Sequence, residues 1–100
     1  MTRAAVKAVL AALSARSPGR SVELRVPPHG ATQVVPGPTH RRGTPKATVE
    51  LQADVLFALA LGTRGWAEAV AAGDVLASGE RADLSGLFPL TEPPQGAVGA

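Results

Sequence analysis

The segment that most constrains this chain is a run of seven apolar residues, Val55–Leu61, bounded by Asp54 and Gly62. Asp54 is a favourable helix N-cap, and Gly62 has the backbone freedom that a helix C-terminus requires. A helix that is apolar on all sides has no face for water, so it must be covered on more than one side. Because a membrane span needs about 20 apolar residues, the run predicts a buried helix instead.

Shorter elements are predicted after this helix. A helix over residues 65–72 and another from about Glu80 are predicted by apolar side chains at helical spacing. Between them, residues 74–78 predict a short strand, because a glycine stands on each side of this segment. The apolar positions of the two helices are Trp66, Ala69 and Val70, and then Leu84, Leu87 and Phe88.

The first half of the chain predicts one helix and three strands. Arg3–Ala15 has an amphipathic stripe, which favours a helix of the folded domain over a targeting peptide. Ser21–Val26 and Ala31–Val35 predict an antiparallel hairpin, and Thr48–Ala53 predicts a further strand. The positions assigned to the buried side are Val6, Val9, Leu10, Leu13, Val22, Leu24, Val26, Ala47, Val49, Leu51 and Ala53.

These elements predict an α+β domain of two layers, in which helices cover the apolar face of a sheet. One hundred residues suit one such domain, which we assign to residues 1–90. Residues 91–100 carry few large apolar side chains, so we expect them to form a flexible tail.

The charge of the chain is divided between its halves. Residues 1–50 hold eight basic and two acidic side chains, for a net charge of +6. Residues 51–100 hold two basic and six acidic side chains, for a net charge of −4. Two interpretations remain open: the halves attract each other in the fold, or the basic side binds an anionic partner.

The basic loop around Arg41 and Arg42 is the best polar candidate for a binding site. Together with Lys46, these residues are predicted to contact an anion, a lipid headgroup or a protein partner, and a solvated loop is the alternative. Nucleic-acid binding is not favoured, because no aromatic side chain for base stacking precedes Phe57.

The sequence contains no recognisable catalytic or metal-binding pattern. The G-x-S-x-G elbow of serine hydrolases is missing, as are the glycine motifs of nucleotide sites. There is no cysteine, and His29 and His40 lack the spacing of metal ligands. Glu80 and Asp83 suit a helix start, where acidic groups interact favourably with the dipole. The sequence therefore predicts a protein that is not an enzyme and uses no metal and no cofactor.

The chain resembles the sterol carrier protein family, most clearly in its C-terminal half. The segments that carry the resemblance are Asp54, Ala60–Gly62, Trp66–Ala69, Gly73–Glu80, Leu84 and Leu87. The whole chain looks like a short, single-domain actinobacterial member, including Arg20–Pro28 and Pro36–Pro45. The resemblance implies a mostly antiparallel sheet of four to five strands, covered on one face by helices.

The resemblance also implies a lipid or other hydrophobic ligand, fatty acyl or sterol-like, carried without catalysis between the sheet and the helices. The predicted cavity residues are Leu56, Phe57, Leu59, Ala60, Trp66, Val70, Leu84, Leu87 and Phe88, of which the last three would form a lid. A solidly packed core of the same side chains is the alternative. A second functional hypothesis is an interaction module that docks a partner through its sheet or its basic loop. We expect a cytoplasmic protein.

Overall fold

The computed structural model describes residues 3–37, 47–79 and 82–90. It confirms an α+β fold with a four-stranded sheet and three helices. The elements in chain order are α1 (Arg3–Arg16), β1 (Val22–Val26), β2 (Gly30–Val34), β3 (Ala47–Leu51), α2 (Ala53–Leu61), α3 (Trp66–Ala71) and β4 (Val75–Ser78). A single 3₁₀ turn follows at Ser85–Leu87. The predicted tail, residues 91–100, lies outside the described residues.

The strands lie in the order β2-β1-β3-β4. The two outer pairs, β1 with β2 and β3 with β4, are antiparallel, which agrees with the predicted mostly antiparallel sheet. The central pair is parallel, with Leu24 of β1 opposite Val49 of β3. Parallel neighbours need a long crossover between them. Here the segment that connects β1 to β3 includes β2, and β2 pairs with the other side of β1.

Apolar and polar residues alternate along the strands and give the sheet two different faces, as the sequence predicts. The inner face is apolar and fully covered at its centre, where Val22, Leu24 and Val49 are each 0% exposed. The outer face carries polar side chains that pair with one another. Arg25 forms an ion pair with Glu23 at 3.0 Å, and the hydroxyls of Thr48 and Ser78 lie 3.0 Å apart.

Helix α2 buries one broad side, its neighbouring residues are half-buried, and Asp54 and Leu61 are exposed. Its buried residues are Val55, Leu56, Leu59 and Ala60. Helix α1 contributes the predicted stripe, with Val6, Leu10 and Leu13 buried and Val9 packed against the core. Gly62 ends α2 in the left-handed region with φ 80°, as predicted. A residue with a side chain is strained there, whereas glycine is not.

Two predictions about the ends of elements are wrong. Ala53 belongs to α2 and not to β3, so the N-cap position falls to Gln52 rather than to Asp54. Asp54 instead lies in the first turn of the helix, where its negative charge favourably meets the helix dipole.

The predicted last helix is also wrong, because residues 82–90 contain only the 3₁₀ turn. Phe88 precedes Pro89, and the proline ring disfavours helical backbone at the preceding residue. Phe88 is accordingly extended, with φ −117° and ψ 150°. Asp83 also accepts the backbone N–H of Ser85 at 2.9 Å, a local bond that competes with helix formation.

Truncation of Leu56 to alanine is expected to destabilise the fold by about 2–5 kcal/mol, because it leaves a cavity in the core. Leu56 is 0% exposed. The matched control is Leu61→Ala in the same helix, where the side chain is 58% exposed and a change within about 0.5 kcal/mol is expected. Urea denaturation followed by circular dichroism measures both, and equal losses would contradict this account of the core.

Candidate functional site

Helix α3 holds an aromatic side chain beside the edge of the sheet. The helix begins after Gly65, whose backbone N–H donates to Glu68 Oε1 at 3.3 Å. Ala69 faces the core and is 0% exposed, while Trp66 is half-buried and Val70 is 40% exposed. The apolar stripe predicted for this helix therefore exists, but its exposure increases from Ala69 through Trp66 to Val70.

Residues 82–90, which we call the C-terminal strap, lie across the core next to α3. The rings of Trp66 and Phe88 stack with centroids 6.2 Å apart and planes 16° apart, within the usual range for offset aromatic pairs. The backbone N–H of Leu90 donates to the carbonyl of Ala60 in α2 at 2.8 Å. Leu84 is 1% exposed. These contacts attach the strap to both helices.

A cleft of about 430 Å³, open to solvent, lies between α3, the end of β4 and the start of the strap. This volume is within the range of small-molecule sites, about 300–1,000 Å³. We call it the helix-side cleft. Its lining residues are Trp66, Val70, Ala77, Gly79, Ala82 and Asp83. Five of these six carry no charge, so its walls are mainly apolar.

Gly79 is required by the close packing at one end of the cleft. Its φ is +90°, and a Cβ there would lie 2.7 Å from Cα of Ala47. Such a contact is far shorter than carbon atoms tolerate, so a side chain would push the end of β4 away from β3. Glycine therefore lets the chain leave the sheet close to the start of β3.

Asp83 supplies a negative charge to the cleft. The backbone N–H of Ser85, and then the Ser85 side chain, donate hydrogen bonds to the carboxylate and hold the pKa of Asp83 below its ordinary value of 3.8. The group is therefore ionised at neutral pH. Arg64 does not line the cleft and forms an ion pair with Asp74, with Nη2 and Oδ2 2.7 Å apart.

The structure divides the nine predicted cavity residues into three groups. Trp66 and Val70 line the helix-side cleft. The buried members are Leu56, Leu59, Ala60 and Leu84, each at most 6% exposed. The members that are half-buried and packed against the core are Phe57, Leu87 and Phe88. The predicted anion-contact residues Arg41, Arg42 and Lys46 lie outside the described residues.

Four lining residues of the cleft were not predicted as such. One of them, Ala77, could have been found from strand alternation, because it shares a face with Val75 and opposes the buried Val49. Gly79 and Ala82 are too small to give a pattern. Asp83 was interpreted as an acid that caps N–H groups at a helix start. It does accept the N–H of Ser85, but the turn that follows is a 3₁₀ turn and not the predicted helix.

Across residues 3–37, 47–79 and 82–90, no group of three His, Asp or Glu side chains lies close enough together to hold a metal ion. In the same part of the chain, no helix has both the length and the apolar character to cross a bilayer.

A comparison with protein families gives a match. The model of a protein family described as "Bacterial SCP ortholog" matches residues 1–90. The match therefore includes every described element, from α1 to the strap. A comparison with curated proteins gives no match.

Replacement of Asp83 by alanine is expected to lower the stability of the strap in a pH-dependent way. A carboxyl group with a lowered pKa stabilises the fold above its unfolded pKa, and this contribution is lost as the pH falls through the folded pKa. The thermal midpoint of Asp83→Ala should therefore lie below that of the wild type at pH 7, and the gap should narrow as the pH falls below about 4. Asp83→Asn keeps an acceptor without the charge and should fall between them. A gap that is constant from pH 7 to acid would contradict the assignment.

Proposed function

Because the chain belongs to the sterol-carrier-like family of bacterial SCP orthologs, we propose that it binds and carries a hydrophobic small molecule without catalysis. The ligand class is a long-chain acyl or sterol-like compound. The observation that supports this most directly is the helix-side cleft, which has apolar walls and an aromatic stack at one side.

The energy of binding comes from the apolar walls. Each CH₂ group that leaves water contributes about 0.8 kcal/mol. Val70 is 40% exposed and Ala77 is exposed, so an apolar chain in the cleft would cover surface that now faces water. Trp66 adds an aromatic side chain to the same wall.

The ligand is proposed to lie in the cleft and not among the buried leucines. Leu56, Leu59 and Leu84 are at most 1% exposed, and they belong to one continuous core cluster. A guest among them would have to separate packed side chains, at the cost of the contacts that stabilise the domain. The cleft is already open to solvent, so a ligand can bind there while the core stays packed.

The polar end of the ligand would meet a carboxylate. Among the described residues that line the cleft, Asp83 is the charged one, and it is ionised at neutral pH. A hydroxyl or amide group can donate a hydrogen bond to it, whereas a second carboxylate would be repelled. The proposed ligand is therefore a long-chain compound with a neutral polar end, such as an alcohol.

Trp66 gives a direct test, because it is the only tryptophan in the chain. Titration of the delipidated protein with a long-chain alcohol should change the Trp66 fluorescence saturably. Val70→Asp should weaken this binding by tenfold or more, since a tenfold loss needs only about 1.4 kcal/mol. Leu61→Asp adds the same charge to a residue that is 58% exposed and does not line the cleft, and it should bind normally. No saturable change, or equal losses in both variants, would refute the carrier proposal.

The matching long-chain carboxylic acid is expected to bind more weakly than the alcohol at pH 7. Asp83→Asn removes this charge repulsion, so it should reduce the difference in affinity between the acid and the alcohol. Both affinities are measured by the same fluorescence titration. Tighter binding of the acid than of the alcohol to the wild-type protein would show that Asp83 does not set the ligand preference.

A further inference from the structure

Within the described part of the chain, strand β4 is an edge of the sheet, and β3 is its only strand neighbour. Natural edge strands are protected by charges, prolines or bulges, or by being very short. β4 is short, with four residues, but Val75–Gly79 contains no charged residue and no proline. Leu76 is 61% exposed on the outer face, and Val70 of α3 is 40% exposed beside the same strand.

The opposite edge, β2, is better protected. The guanidinium of Arg20 lies over its outer face, where Nε donates to Gln33 Oε1 at 3.1 Å. Val35 then leaves the strand with a φ of 73°, so the extended backbone of β2 ends at Val34. A partner strand is therefore accommodated more readily at β4 than at β2.

Depressions lie on both sides of β4. Besides the helix-side cleft, an outer groove of about 400 Å³ lies along the strand. Its walls include Glu50 of β3, Leu76 and Ala77 of β4, and Val70 of α3. Val70 and Ala77 line both depressions, so the two adjoin along β4. The helix-side cleft thus lacks a wall on the side of the free strand edge.

We propose that a second copy of this chain pairs with β4 in an antiparallel manner, about a two-fold axis, and supplies that wall. Directly opposed residues of antiparallel strands share a face of the sheet. A two-fold axis at Leu76 satisfies this rule. It places Leu76 opposite Leu76 of the second copy, and Val75 opposite Ala77 of the second copy. The apolar side chains that now face water then cover each other.

The charges around the strand are compatible with this pairing. Glu50 neighbours Leu76 across the sheet, so the two copies of Glu50 would be separated by three strand spacings, roughly 14 Å. This exceeds the screening length of about 8 Å at physiological salt. Asp74 would lie opposite the neutral Ser78 of the second copy and is already paired with Arg64 at 2.7 Å.

The pairing joins the two ligand clefts. A two-fold axis perpendicular to the sheet keeps both helix-side clefts on the same side, where they meet across the paired strands. Each copy then contributes Ala77 and Val70 to the border of the other copy's cleft. This consequence rests on the proposed carrier function, whereas the pairing itself does not. Because ligand binds the paired form better, it is expected to strengthen the dimer.

Sedimentation velocity of the full chain, free of ligand, tests the pairing. The mass should rise with concentration from 10.1 kDa towards twice this value, over a range extending to about 1 mM. Leu76→Lys places two like charges opposite each other and should remain monomeric. Leu61→Lys changes an equally exposed leucine outside the strand and should dimerise like the wild type.

Mixing the variants Leu76→Lys and Leu76→Glu separates lost pairing from misfolding. Each variant alone should be monomeric, and the mixture should regain the dimer because opposite charges then face each other. A wild-type protein that stays monomeric throughout, a Leu76→Lys variant that dimerises, or a mass that grows beyond two chains would each overturn the inference.

The fluorescence titration distinguishes failure of this inference from failure of the proposed function. A dimer that binds no long-chain alcohol would refute the carrier and leave the pairing intact. A chain that binds alcohol with equal affinity in the wild type and in Leu76→Lys would retain the carrier and refute the shared cleft.

Discussion

Helix α2 has no polar face, and the arrangement of the other elements follows from the need to cover it. The buried side chains of α2 lie in one cluster with those of α1 and the inner face of the sheet. The strap closes the cluster from another direction, through Leu84 and the bond from Leu90 to Ala60. A domain of this size has one core, so nearly every element must contribute to the coverage of this one helix.

The helices and the strap cover the inner face of the sheet unevenly. The candidate site lies at β4, where this face is only partly covered. All inner-face positions of β1 and β3 are buried, but Val75 is the one buried residue of β4. Helix α3 is short and reaches the edge strand with a half-buried tryptophan and an exposed valine. The cleft is therefore a region that the short helix leaves uncovered, and the same shortness exposes the edge of β4.

Sequence patterns predicted which side of each element is buried better than they predicted which elements lie next to one another. The alternation in β1 and β3 correctly identified Val22, Leu24, Val49 and Leu51 as buried, because a period of two follows directly from backbone geometry. The same period says nothing about which strand lies next to which, so the parallel central pair was not predicted. The stripe of Leu84, Leu87 and Phe88 suggested a helix, but Pro89 and the bond from Ser85 to Asp83 oppose it locally.

The candidate site was partly predictable for related reasons. Trp66 and Val70 were named as candidate cavity residues because they belong to an apolar helical stripe. In the structure both lie at the border of the core, where they line the cleft. The buried leucines were assigned to the same cavity because composition does not distinguish a filled core from an empty one. Ala82 and Gly79 line the cleft through backbone positions that only the folded chain creates.

The parallel pairing of β1 with β3 has a consequence for the order in which the chain folds. The hairpin of β1 and β2 is local, so it can form as soon as Val34 has been synthesised. The central pair joins Val22 to Ala47, which lie 25 positions apart in the sequence, and contacts between such distant segments form slowly. During synthesis the inner face of the hairpin is therefore expected to rest on α1 alone until β3 arrives. The amphipathic N-terminal helix would then act as an early shield against aggregation of the nascent chain.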